Sequence, residues 1–215
     1  MSYKVNDLYY TIQGEGGNTG MPAMFLRLSG CNLSSGREED RENAVCKFCD
    51  TKFTSGITYD AASILALTAR QLWDECVTID HLEGGENARR IVITGGEPML
   101  QVDEELIDAL KEEEFVIAIE TNGTLKVEEG IDYVTVSPKA NATLEQTSGN
   151  ELKLVWPQEG MNPRWLFDHT DFSLYFLQPM DGPHLQRNTK LCVEFVKSDP
   201  RWSLSLQTHK FIGLP

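Results

Sequence analysis

The sequence predicts a parallel βα barrel, closed or nearly closed, and three observations carry that reading. Short apolar runs alternate with stretches of helical periodicity. Several runs are rich in Val and Ile and apolar almost without interruption, as strands covered on both faces are. Polar or glycine-bearing segments repeatedly follow the C-terminal ends of the runs, and that rim is where parallel βα architectures collect active-site residues.

In chain order, "AMFLRL" is the first predicted strand and runs through Ser29 and Gly30 into Cys31. "DAASILALTARQLWDEC" follows as a helix, with Asp60 as N-cap and apolar positions at helical spacing. "RIVIT" is a strand that ends in "GGEPMLQ". "DEELIDALKEEE" is a helix capped by Asp103, with acids in its first turn and a solvated acidic face. "FVIAI" ends in "ETNG" and "DYVTV" in "SPK". "ELKLVW" is a further strand. "SLYFL" ends in "QPMDG", "TKLCVEFVKS" is a helix from Thr189, and "WSLSL" ends in "QTHK". No internal repeat, low-complexity stretch or Pro/Ser/Gly-rich linker divides the chain, so residues 1–215 are expected to form one domain.

Composition narrows the function classes. A net charge of −14 repels a nucleic-acid backbone and argues against a nucleic-acid partner. No apolar run approaches the roughly 20 residues that span a bilayer, so no membrane partner is expected. The start "MSYKVNDLYY" lacks a basic segment followed by an apolar one, so no signal peptide is expected. Three of the five cysteines cluster within residues 31–49, which favours metal chemistry in a reducing cytoplasm over a disulfide framework.

Fourteen residues separate Cys31 from Cys46, and two separate Cys46 from Cys49. Zinc would want a fourth ligand, borrowed from a distant His209 or Cys76. An iron–sulfur cluster fits three thiolates better. It normally takes four, and a missing fourth leaves one iron open to the amino and carboxylate groups of an amino acid. Cys76 and Cys192 lie among apolar neighbours and read as core residues; His81, His169 and His184 read as surface or loop histidines.

The cysteine segment, with Phe48 just before its last cysteine, resembles the radical S-adenosylmethionine superfamily. The long first gap departs from that superfamily's CxxxCxxC and is similar to a subset of one family, the 7-carboxy-7-deazaguanine synthases. That likeness extends from "YTIQGEG" through "TIQGEGGNTGMPAMFLRLSGCN" to the last residue. It implies an incomplete TIM-like βα barrel of the radical S-adenosylmethionine type. It further implies a carbon–nitrogen lyase converting 6-carboxy-5,6,7,8-tetrahydropterin to 7-carboxy-7-deazaguanine with loss of ammonia, in 7-deazapurine (queuosine) biosynthesis.

The same resemblance supplies the roles. Cys31, Cys46 and Cys49 hold a [4Fe–4S] cluster, and Thr51 binds Mg²⁺. Ile12, Gln13, Gly14, Glu15, Arg27, Thr94 and the terminal Pro215 meet the substrate; a guanidinium fork such as Arg27 suits its carboxylate. S-adenosylmethionine falls to Phe48, Asp50, Gly96, Glu120, Asn122, to Ser137, Pro138 and Lys139, and to Gln178, Pro179, Met180 and Asp181. No side chain is catalytic beyond the cofactor-held radical chemistry. A flavodoxin-type reductant and a homodimer are expected partners. Two rivals stay open from sequence: another radical enzyme, such as a glycyl-radical activase, and a zinc-stapled module without catalysis.

Overall fold

A computed structural model describes residues 1–74 and 89–215. Among them, strands β1 (Tyr3–Ile12), β2 (Pro22–Leu28), β3 (Ile57–Tyr59), β4 (Arg90–Gly95), β5 (Val116–Thr121), β6 (Tyr133–Val136), β7 (Ser148–Trp156), β8 (Asp171–Pro179) and β9 (Ser203–Leu204) form one sheet. Its order is β3-β1-β2-β4-β5-β6-β7-β8-β9. From β2 to β9 every neighbouring pair is parallel. The sheet ends at β3 and β9, so the barrel is incomplete, as expected. One correction to the all-parallel expectation is β1, which runs antiparallel to both β2 and β3. Its polar-rich "YKVNDLYYTI" breaks the apolar pattern by which the other strands were read.

The helices are α1 (Ala61–Asp74), α2 (Glu104–Glu112), α3 (Pro163–His169), α4 (Leu185–Ser198) and α5 (Thr208–Ile212). Both expected caps are present. Asp60 accepts from Ser63 N–H at 2.8 Å, and Asp103 accepts from Leu106 N–H at 3.0 Å. Each such cap stabilises its helix by roughly 1 kcal/mol. The helix read from Thr189 begins earlier, at Leu185. Short α3 and α5 were not foreseen. Cys76 and His81 lie outside the described residues, as does the end of the helix expected through Cys76.

Strand periodicity sorts side chains onto two faces. One phase of β2, β4 and β5 sends Met24, Leu26, Leu28, Ile91, Ile93, Ile117 and Ile119 against Ile64 of α1 and Leu106 and Leu110 of α2. Ile91 and Ile93 of β4 and Leu26 and Leu28 of β2 are wholly sealed, contributing about 1.5–3 kcal/mol per side chain. On β7 the same outward phase carries Leu152 and Leu154, packed with Leu166 of α3, Cys192 of α4 and Trp202. Cys192 is a core residue as expected, while His169, His184 and the acids of α2 are exposed.

The opposite phase faces the barrel interior. There Ala23, Phe25, Val92 and Ala118 pack into a small apolar floor with Tyr9 and Tyr133. Two residues further along their strands come Arg27, Thr94 and Glu120, and Lys153 comes from β7; all four line the interior cavity. Alternation therefore places a polar layer on an apolar floor.

Candidate active site

A cavity of about 450 Å³ opens at the C-terminal ends of the parallel strands. Cys31, Cys46 and Cys49 line it, and none is in a disulfide. Leu33 N–H donates to Cys31 Sγ at 3.4 Å. Arg41, in the 3-10 turn Glu38–Asn43, steadies the turn between the other two thiols by donating to the carbonyls of Lys47 (3.1 Å) and Cys49 (3.0 Å). The hydrogen bond from Cys46 holds the Cys49 thiol down to about 6, and the same bond with burial pushes Cys46 up. Burial raises Cys31. Among the described residues no three His, Cys, Asp or Glu side chains converge on a single-ion site. Three free thiols lining one cavity fit an iron–sulfur cluster held by three cysteines.

Two glycines explain how the backbone closes around the thiols. A Cβ on Gly96 would lie 2.0 Å from Gly30 O and 2.8 Å from Cys31 Cβ. Only a bare Cα lets the "TGGEP" segment lie against the cysteine segment. Gly95 has φ +147, and a Cβ there would meet Leu28 O at 2.1 Å. Glu97, with no exposed surface, locks the segment to the next strand. It accepts from Met99 N–H (3.0 Å), Thr121 Oγ1 (2.7 Å) and Asn122 N–H (2.7 Å). Asn122 in turn donates to Asn32 Oδ1 at 3.0 Å, beside Cys31.

In the same cavity, Arg27 donates through Nη2 to Tyr9 Oη at 2.6 Å. Its Nε is buried with no hydrogen-bond partner. An unpartnered guanidinium N–H in a cavity wall is costly unless an anion meets it. Nearby, Gln13 Nε2 donates to Glu120 at 2.8 Å, and Lys153 Nζ donates to Glu15 at 2.6 Å and to Glu120 at 3.2 Å. Burial raises the Glu15 carboxyl, but the Lys153 ammonium outweighs it and holds Glu15 at about 2. Burial likewise lowers Lys153, and Glu120 and Glu15 more than reverse that. Lys139 is lowered by burial; it donates to Ser137 O at 2.6 Å and Oγ at 2.7 Å, and stands 6.0 Å from the Phe48 ring.

The C-terminal segment closes the mouth. Thr208 N–H donates to Gly14 O at 2.9 Å, and a Cβ on Gly14 would sit 2.2 Å from His209 Nδ1. Gln207 donates to Glu15 at 2.9 Å, and Lys210 bridges Asp50 and Asp181.

Ile12, Gln13, Gly14, Glu15, Arg27, Thr94, Pro215, Phe48, Asp50, Thr51, Gly96, Glu120, Asn122, Ser137, Lys139, Gln178, Pro179 and Asp181 all line this cavity with the cysteines. Pro138 and Met180 do not, and their backbones serve the fold. Pro138 O accepts from Gln158 at 3.3 Å, and Met180 N–H donates to Trp156 O at 2.9 Å. Sequence reasoning missed Lys153, Tyr9 and Lys210, and weighed His209 only as a zinc ligand. A lysine in phase with Glu151 inside the apolar "ELKLVW" was the available signal for Lys153.

No family model matches the chain. Curated relatives named 7-carboxy-7-deazaguanine synthase do. The one from Burkholderia multivorans is 50% identical, that from Caulobacter vibrioides 49% and that from Bradyrhizobium diazoefficiens 44%, each covering 100% of both chains. The crystal structure of QueE from Escherichia coli superposes with a TM-score of 0.69 at 28% identity, covering 97% of this chain and 95% of that one.

Proposed function

Because the chain belongs to the 7-carboxy-7-deazaguanine synthase family, we propose that it converts 6-carboxy-5,6,7,8-tetrahydropterin to 7-carboxy-7-deazaguanine with loss of ammonia. One observation supports the reading above the rest: Arg27, with its unpartnered buried Nε, shares a cavity with Cys31, Cys46 and Cys49. A carboxylate-bearing substrate and a thiolate-held cluster belong in such a space.

Atoms balance without an external oxidant, since the substrate loses only the elements of ammonia. On that balance S-adenosylmethionine would serve as a cofactor and not as a consumed substrate. When bound, the [4Fe–4S] cluster and S-adenosylmethionine supply one-electron cleavage and hydrogen-atom abstraction at C6 of the pterin. The chain's residues bind, orient and exclude water. Cys31, Cys46 and Cys49 hold the cluster. The Gly96 backbone, drawn up against the cysteine segment, would meet the methionine amino group, while Glu120, Asn122, Ser137, Lys139, Gln178, Pro179 and Asp181 would take the rest of that cofactor with Phe48 and Asp50. Pro138 and Met180 act by placing those neighbours.

Arg27 forks the substrate carboxylate. Ile12, Gln13, Gly14, Glu15, Thr94 and the carboxylate of Pro215 surround the ring. Glu15, held ionised by Lys153, accepts from pterin N–H groups. Thr51 would supply an oxygen to a bound Mg²⁺ beside the substrate. A flavodoxin-type protein supplies the electron, and the enzyme works as a cytoplasmic homodimer of single-domain chains.

The test is anaerobic incubation of the reconstituted, reduced enzyme with the carboxytetrahydropterin and S-adenosylmethionine. The expected products are the deazapurine by mass and one ammonia per turnover. Replacing the three cluster cysteines by Ala should abolish both and leave the fold intact. Turnover by that triple variant, or stoichiometric zinc without iron and sulfide in the anaerobically purified chain, would refute the assignment.

A further inference from the structure

A lysine inside a buried strand needs a reason. The Lys153 side chain is only 4% exposed, on the interior phase of β7. Its two carboxylate partners come from separate elements: Glu15 from the loop after β1, Glu120 from the C-terminal end of β5. Glu15 also accepts from Gln207, and Glu120 from Gln13. Such a set is weak evidence for stability, because well-packed apolar replacements of buried ion pairs are often neutral or better. Its position in the wall of the same cavity as the orphaned Nε of Arg27 points to the ligand instead.

The electrostatics give the role. Two carboxylates sharing a buried site cannot both stay ionised without a cation between them. Remove the ammonium and Glu15 takes up a proton, presenting an O–H where an acceptor is needed. The other charged or titratable groups acting on Lys153 are Glu151 on its own strand and Lys139 after β6, with Tyr133 on β6. None replaces it, since Lys139 is tied to Ser137 and Glu151 is held by Gly17 N–H and Tyr133.

We propose that Lys153 is a positioning residue of the substrate site, which keeps Glu15 ionised and aimed as an acceptor at the N–H edge of the pterin. It also ties that edge to Glu120 and, through Glu120, to Gln13 of the substrate loop. The inference rests on the pterin reading above. A substrate ring whose amino and ring N–H groups lie side by side donates two parallel bonds, and an ionised carboxylate accepts both. A neutral carboxyl accepts only one.

The experiment uses full-length, cluster-loaded enzyme carrying Lys153→Met or Lys153→Arg. It reads KM and kcat for the pterin, the pterin Kd by anaerobic titration calorimetry, and the pH profile of kcat/KM. K153M should raise the pterin KM and Kd by about tenfold or more, with the smaller loss in kcat. Its kcat/KM should gain an acid limb at about pH 5 or above, as Glu15 returns to or passes an ordinary carboxyl range. K153R, which keeps the charge, should restore the wild-type profile. K153M with wild-type KM and no new acid limb overturns the proposal, and so does K153R with the K153M profile. Should K153M fail to fold, wild type carries the test: an acid limb near about pH 5 that Glu15→Gln abolishes overturns it equally. A wild-type enzyme that never converts the pterin overturns the pterin reading, and this inference with it.

Discussion

Glu97 offers the sharpest prediction. Its carboxylate is fully buried and accepts three hydrogen bonds, from Met99 N–H, Thr121 Oγ1 and Asn122 N–H. Burial raises the carboxyl above its ordinary range, while the three donors oppose that shift. Every partner is a donor, so the geometry suits the ionised form. Glu97→Gln preserves shape and removes that fit. Whichever way the amide turns, its NH₂ meets a backbone N–H, at Asn122 in one orientation and at Met99 in the other. Leaving one buried N–H unsatisfied costs about 1–3 kcal/mol, and weakening the remaining charge-assisted bonds brings the total to about 2–4 kcal/mol. Urea unfolding under anaerobic conditions at neutral pH reads the difference. Because Asn122 lines the cavity, S-adenosylmethionine affinity should fall as well. A loss below about 0.5 kcal/mol with an unchanged denaturant slope would mean that Glu97 is already protonated in the native state, and the reasoning fails.

Three further outcomes follow from the geometry. Gly96→Ala drives a methyl into Gly30 O, a backbone atom that cannot swing aside, and should cost on the order of 2–4 kcal/mol and impair cluster loading; iron and sulfide analysis with unfolding curves checks both. Asp103→Ala removes the α2 cap and the 2.6 Å bond from Tyr3 Oη, and should lower stability by about 1–2 kcal/mol, with Asp103→Asn recovering part of it in thermal unfolding. Glu15 sits at about 2 in the fold against an ordinary 4.5, so the unfolded chain binds more protons between those values and stability rises with pH across the window. The contribution of the pair with Lys153 is therefore present above 4.5 and lost as pH falls toward 2; Glu15→Gln should flatten that part of a pH series of urea unfolding curves.

What the sequence made legible follows from how strongly each residue's role is written locally. The strands of the parallel sheet announce themselves, because burial on both faces demands continuous apolar runs such as "RIVIT" and "FVIAI". Strand β1 did not, since "YKVNDLYYTI" mixes polar and apolar positions and carries Asn6 and Asp7 at a register shift. The α3 and α5 helices are too short for a periodic signal, and α4 starts at a His184 cap whose side chain makes no capping bond. Most of the expected site residues do converge on one cavity, because they follow strand ends and strand ends share a rim. Lys153 escaped because nothing local marks it. Its meaning depends on Glu15 and Glu120, 138 and 33 positions away in the chain. Lys210 escaped for the same reason, being defined by Asp50 and Asp181 across the mouth.

The two-phase strands carry a consequence for engineering. Helix-facing leucines and isoleucines and cavity-facing Arg27, Thr94, Glu120 and Lys153 occupy alternate positions of the same segments. Reactivity and foldability are thus written in interleaved alphabets. A combinatorial library varied at Arg27 and Thr94, with the buried Lys153–Glu120 pair retained, rewrites one alphabet and leaves the other intact, so new ligand preferences can be sought on an unchanged chassis.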